Sequence, residues 1–155
     1  MDESVAVQVF LGSVPILAAL LTFILLQTIG ERIKRNRLRG TARADLIAEI
    51  EQNALYQLHS KFIQLEDEAY KRFRQRGFLR ELKNGLQKDL MMLYSRMHEK
   101  NDLLNYYQAF ITGVPMPVRD NLASPLLAII DRAEQQINEV AKAILPELKA
   151  LSKDC

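Results

Sequence analysis

The chain has 155 residues, 21 of them lysine or arginine and 19 aspartate or glutamate, giving a net charge of +2. Its one cysteine, Cys155, fits a reducing compartment and excludes both a disulfide framework and a cysteine-built metal site. The charge is blocked. Residues 31–43 carry six cations and one anion, residues 44–70 six anions and one cation, and residues 71–83 six cations and one anion.

From Ser4 to Gly30 there is no charged residue. The run Val5–Ile29 has the length needed to cross a hydrocarbon layer about 30 Å thick, which takes roughly 20 apolar residues. A charge at mid-membrane costs about 2.5–3.5 kcal/mol, so the sequence predicts one membrane span here. A cleaved signal peptide would start basic and have a shorter apolar core, whereas Asp2 and Glu3 are acidic. Arg32, Lys34, Arg35, Arg37, Arg39 and Arg43 follow directly, which places this flank in the cytoplasm and the N-terminus outside. Inside the span, Gly12, Ser13, Ala18 and Ala19 would let a neighbouring helix approach, with Gln8 bonding across the contact and Pro15 removing one backbone bond.

The expected organisation is a transmembrane segment at 1–30, a basic juxtamembrane linker at 31–40 and a cytoplasmic helical domain at 41–155. Gly40-Thr41 reads as a helix stop followed by an N-cap. Apolar residues then recur in steps of three or four at Ile47, Ile50, Ala54, Leu58, Phe62, Leu65, Ala69 and Phe73, with a break or kink expected near His59–Ser60. Gly77 ends that element. A second stripe runs through Leu79, Leu82, Leu86, Leu90, Leu93 and Met97, continuing to Leu104, Tyr107 and Ile111. Gly113–Pro117 is a loop, and Ser124-Pro125 reads as a helix restart. The last helix carries Leu127, Ile130, Ile137, Ala141, Ile144, Leu148 and Leu151, with a kink expected at Pro146. No segment alternates with period two. The predicted class is all-α: two long antiparallel helices joined near Gly77, then a shorter helix returning across them.

No catalytic constellation is present, so no enzyme is expected. His59 and His98 stand apart from any Cys, Asp or Glu cluster, and there is no phosphate loop, nucleophile motif or cofactor signature. One segment suggests binding. Between Tyr70 and Lys83, six cations interleave with Tyr70, Phe73 and Phe78 around Gly77. Guanidinium groups grip phosphates, aromatics stack on bases, and a new helix start at Phe78–Arg80 would offer amides to an anion. Lys71, Arg72, Arg74, Arg76 and Arg80 are the candidate ligand-binding residues. Arg76 falls near the buried line and so would need a partner. Tyr106, left on a polar face with Asn101 and Asn105 when Tyr107 takes the stripe, joins them as a candidate for contacts to bases or to another subunit. Three anions fit: nucleic acid, a nucleotide messenger and the anionic inner leaflet, the last explaining the first basic block without further help.

One N-terminal span, a basic linker at Arg32–Arg43 and a small helical domain with an Arg-rich turn resemble the small membrane effectors of type III CRISPR systems that respond to cyclic oligoadenylate. The resemblance covers the layout of the chain and rests on no diagnostic motif. It implies a homo-oligomer, a tetramer by preference, that binds cyclic tetra-adenylate and disrupts a bacterial inner membrane; double-stranded nucleic acid is not expected. Two other readings stay open: a membrane-anchored scaffold recruiting a protein partner, and a protein responding to anionic lipid through both basic blocks.

Overall fold

The computed structural model describes the backbone of residues 3–113 and 116–153, and the side chains of 15, 17–113 and 123–152. Among the described residues the chain is all-helical: α1 Glu3–His59, α2 Glu68–Gln75, a 3-10 turn Phe78–Glu81, α3 Asn84–Gly113 and α4 Met116–Lys153. It divides into two compact units, Met1–Arg39 and Gly40–Cys155.

In the first unit, eight large apolar side chains between Leu17 and Ile29 are exposed. Phe23, Ile24, Leu25 and Leu26 are consecutive, and at 100° per residue they point around the whole circumference, so this described stretch exposes apolar side chains on every side. Among the described residues, no helix is long and apolar enough to cross a membrane. The apolar run itself begins at Val5, where α1 side chains lie outside the description, as do Gln8, Gly12 and Ser13 of the expected helix–helix contact. Pro15 lies inside α1.

In the second unit, α3 and α4 form an antiparallel pair. Leu86 lines a groove with Leu151, Lys100 meets Glu134, and Leu104 and Tyr107 cluster with Ile130. The C-terminal part of α1 packs on both, through Ala42, Leu46 and Ile50, and its Glu51 pairs with Lys149 at 2.6 Å. The α3 and α4 stripes are buried as the periodicity predicts: Leu90, Leu104, Ile130 and Leu148 are fully enclosed. Each such side chain contributes about 1.5–3 kcal/mol of burial.

Several expected boundaries fall elsewhere. Gly40-Thr41 does not interrupt α1, because a mid-helix glycine costs only about 1 kcal/mol and Ala42 and Leu46 are buried just beyond it. The break at His59–Ser60 is real, and Asn53 and Asn101 pin the loop that follows. Asn53 Oδ1 accepts from the Glu66 amide and its Nδ2 donates to the Glu66 carbonyl, both at 2.8 Å. Asn101 makes the same pair with Leu65, at 2.8 and 2.9 Å. The buried line of α1 is rotated from the expected one: Leu46, Ile50, Asn53 and Gln57 face the core, while Leu58 is 80% exposed. α4 starts at Met116, not at Ser124, and it is 38 residues long against 30 for α3, so the returning helix is the longer of the two. Of the expected Gly113–Pro117 loop, Val114 and Pro115 lie outside the described residues. Cys155 does too.

Candidate anion-binding site

Apolar residues set at helical spacing clamp the basic turn onto the core. Ala69, Tyr70 and Phe73 are buried on α2, and Phe78, Leu79 and Leu82 are buried after it. Phe73 and Phe78 meet edge to face at 5.8 Å on either side of Gly77, whose φ of 77° allows the tight reversal. The cations fall between these anchors. Arg72, Arg74, Arg76 and Arg80 are all exposed, and among the described residues none of the four makes an ion pair.

The start of α2 is held from α1. Glu49 is buried, and its carboxylate accepts from the Ala69 amide at 2.5 Å, the Tyr70 amide at 3.2 Å and the Tyr94 hydroxyl at 2.7 Å. A carboxylate on the first-turn amides of a helix satisfies donors that no intrahelical carbonyl can reach. Tyr70 and Tyr94 stack at 4.0 Å with rings nearly parallel. Burial pushes the Tyr94 hydroxyl well above the usual tyrosine range, and the charge of Glu49 pushes it the same way. Burial also raises Tyr70, partly offset by the nearby charge of Arg74.

The sequence-predicted residues separate into groups. Lys71 is spoken for: it pairs with Asp67 at 2.9 Å and Glu68 at 3.3 Å, and those two hydrogen bonds raise its pKa. Arg76 is exposed instead of buried: it caps α2, its amide still donating to the Arg72 carbonyl at 3.1 Å, and the core line it would have extended stops where Gly77 reverses the chain. The aromatics offered for base stacking are the clamp itself: Tyr70, Phe73 and Phe78 are at most 7% exposed. The expected helix start at Phe78–Arg80 is a four-residue 3-10 turn, and the Arg80 amide already donates to the Gly77 carbonyl.

Tyr106 lies elsewhere. It is exposed on α3, 22 residues beyond Asn84, which is about 33 Å along the helix axis from the basic turn. It borders a shallow groove with His98, Glu99 and Asp102, which is not a setting for an anion. The polar neighbours expected to join it are used internally, Asn101 on Leu65 and Asn105 accepting from Gln64 at 2.7 Å.

What remains is a set of exposed guanidinium groups on a fixed backbone, able to bind phosphate in bidentate fashion but not to transfer protons. Among the described residues, no three His, Cys, Asp or Glu side chains converge as a metal site. No protein-family model, curated protein or solved structure matches the chain.

Proposed function

We propose that this chain is a membrane-anchored, non-enzymatic effector whose helical unit binds a phosphate-bearing anion through Arg72, Arg74, Arg76 and Arg80. The observation that carries this reading is the exposure of four arginines without ion pairs on a turn clamped by Phe73 and Phe78. A merely solvated turn would not need so rigid a mount. The anchor is the apolar helix of the first unit, because a helix with exposed leucine, isoleucine and phenylalanine on every side has no stable place in water. The arginines of residues 31–43 orient it with the N-terminus outside and residues 40–155 in the cytoplasm of a bacterial inner membrane.

Cyclic tetra-adenylate, the messenger that the layout suggests, would be held here by its phosphates. Between subunits of a homo-oligomer, clustered arginines repel until an anion joins them. A ligand that binds one packing more tightly shifts the population toward it, and such a shift can reach the membrane helices. The test is a titration of the full chain in neutral nanodiscs with cyclic oligoadenylates and with polyphosphate, beside the Arg74→Ala/Arg76→Ala variant. Salt-sensitive binding that the variant loses is the expected result. A folded chain that binds no polyanion contradicts the proposal.

A further inference from the structure

Asn84 and Gly85 are the one asparagine–glycine pair in the sequence, and they open α3 directly after the basic turn. Both are exposed. Among the described residues the Asn84 side chain makes no hydrogen bond, and it borders an open groove with Gln87, Lys88 and Met91. A Cβ built on Gly85 would meet nothing within 4 Å, so the space beside its backbone is open. The first amides of a helix have no carbonyl to bond within it, and no turn or loop carbonyl takes the Gly85 N–H instead.

We propose that Asn84 is a site of spontaneous deamidation, with the Gly85 backbone nitrogen as the internal nucleophile. Base removes the Gly85 amide proton, and the nitrogen attacks Asn84 Cγ. The new Cγ–N bond closes a cyclic imide as the Cγ–Nδ2 bond breaks. Nδ2 leaves as ammonia, taking up a proton that balances the one Gly85 lost. Water then opens the imide at either carbonyl, leaving aspartate or isoaspartate at position 84. No oxidant, reductant or cofactor enters.

A helical backbone holds Cγ away from that nitrogen, so the first turn has to open. One bond ahead of Asn84 must be released, that of the Gln87 amide to the Lys83 carbonyl at 2.9 Å. The loss of a single exposed hydrogen bond costs little, and asparagine is a favoured N-cap once it stands outside the helix. Charge helps the reaction. Within four residues on either side, Arg80, Lys83 and Lys88 outnumber Glu81, and the helix N-terminus adds its own positive end. Both favour the negative nitrogen and then the new carboxylate. The other described asparagines differ. Asn36, Asn53, Asn101, Asn105 and Asn138 precede residues with side chains, and Asn53 and Asn101 are also pinned to the backbone of Glu66 and Leu65.

The product sets a negative charge next to Lys83. On the anion-binding reading above, this weakens the hold of the basic turn on polyanions. The full chain in neutral nanodiscs is aged in warm, mildly alkaline buffer, then digested and weighed by mass spectrometry. A free peptide of residues 82–87 serves as the clock. The fragment carrying Asn84 should gain the mass of an amide-to-acid change and become a substrate for isoaspartate methylation, while those carrying Asn53 and Asn101 stay unaltered. Gly85→Ala suits helix and has room for its methyl group, and it should remove the change. A fragment still unaltered when the free peptide has converted overturns the proposal, as does equal conversion in Gly85→Ala. Polyphosphate binding is read separately on Asn84→Asp, which should bind more weakly than the natural chain. If neither chain binds polyphosphate, the anion-binding reading falls while the modification stands on its mass.

Discussion

Glu49 joins three parts of the second unit through one carboxylate. It takes two amides of α2 and the hydroxyl of Tyr94, and all of these are buried. Hydrogen bonds to a buried charge contribute about 1.5–3 kcal/mol each, and orphaned amides carry their own desolvation cost. Glu49→Ala should therefore lower the urea midpoint sharply and release α2, seen as faster exchange of the Ala69 and Tyr70 amides. Tyr94 adds a pH signature. Its folded pKa is raised, so the stability it contributes is complete below the unfolded value near 10 and is lost as pH rises through the folded value. The stability gap between the natural chain and Tyr94→Phe should thus be widest at about pH 8 and narrow toward about pH 11. A gap that widens with pH would contradict the burial of this hydroxyl.

Single residues also show where the sequence is silent. Lys100 sits on the α3 line between Met97 and Leu104, fully buried, 3.5 Å from Glu134. Burial lowers its pKa while Glu134 opposes that shift. A lysine at a stripe position reads as solvated, and only the tertiary partner on α4 reveals otherwise. Glu49, Asn53 and Asn101 are hidden in the same way, since their partners are backbone groups far along the chain.

At the scale of elements, the apolar stripes of α3 and α4 were legible because they are long and unbroken, and their members are buried except for Ile111, Leu127 and Leu151, which are half-buried. The ends were less so. Gly40 and Ser124-Pro125 carry the chemistry of helix termini yet lie within helices, while Gly77 does what its residue type suggests. The face of α1 was misread because its core line includes Asn53 and Gln57, which an apolar periodicity skips in favour of Ala54 and Leu58. The two glycines give opposite expectations in urea unfolding. A Cβ at Gly40 would meet nothing within 4 Å, and alanine there should stabilise the chain by about 1 kcal/mol. Alanine at Gly77 is equally free of neighbours but must adopt φ 77°, so it should destabilise by about 1–2 kcal/mol. Equal effects from the two changes would refute the helix continuity at Gly40.

For the whole molecule, the blocked charge pattern was the part of the candidate site most open to reading, and its placement the least. The sequence shows two basic runs separated by an acidic one; the structure anchors the second run on the core of the second unit through Phe73, Phe78, Leu79 and Leu82. Of the chosen residues, Arg72, Arg74, Arg76 and Arg80 remain together, Lys71 is neutralised locally, and Tyr106 belongs to another surface. The aromatic interleaving that suggested stacking is instead the mount that holds the turn.

The account depends first on the apolar helix being an anchor. The direct measurement is alkaline carbonate extraction of membranes from cells expressing the full chain, with Leu21→Arg/Leu25→Arg as the comparison. The account predicts that the natural chain stays with the membrane pellet and that the two charges, each costing about 2.5–3.5 kcal/mol at mid-membrane, release it to the supernatant. A natural chain recovered folded in the supernatant would contradict it.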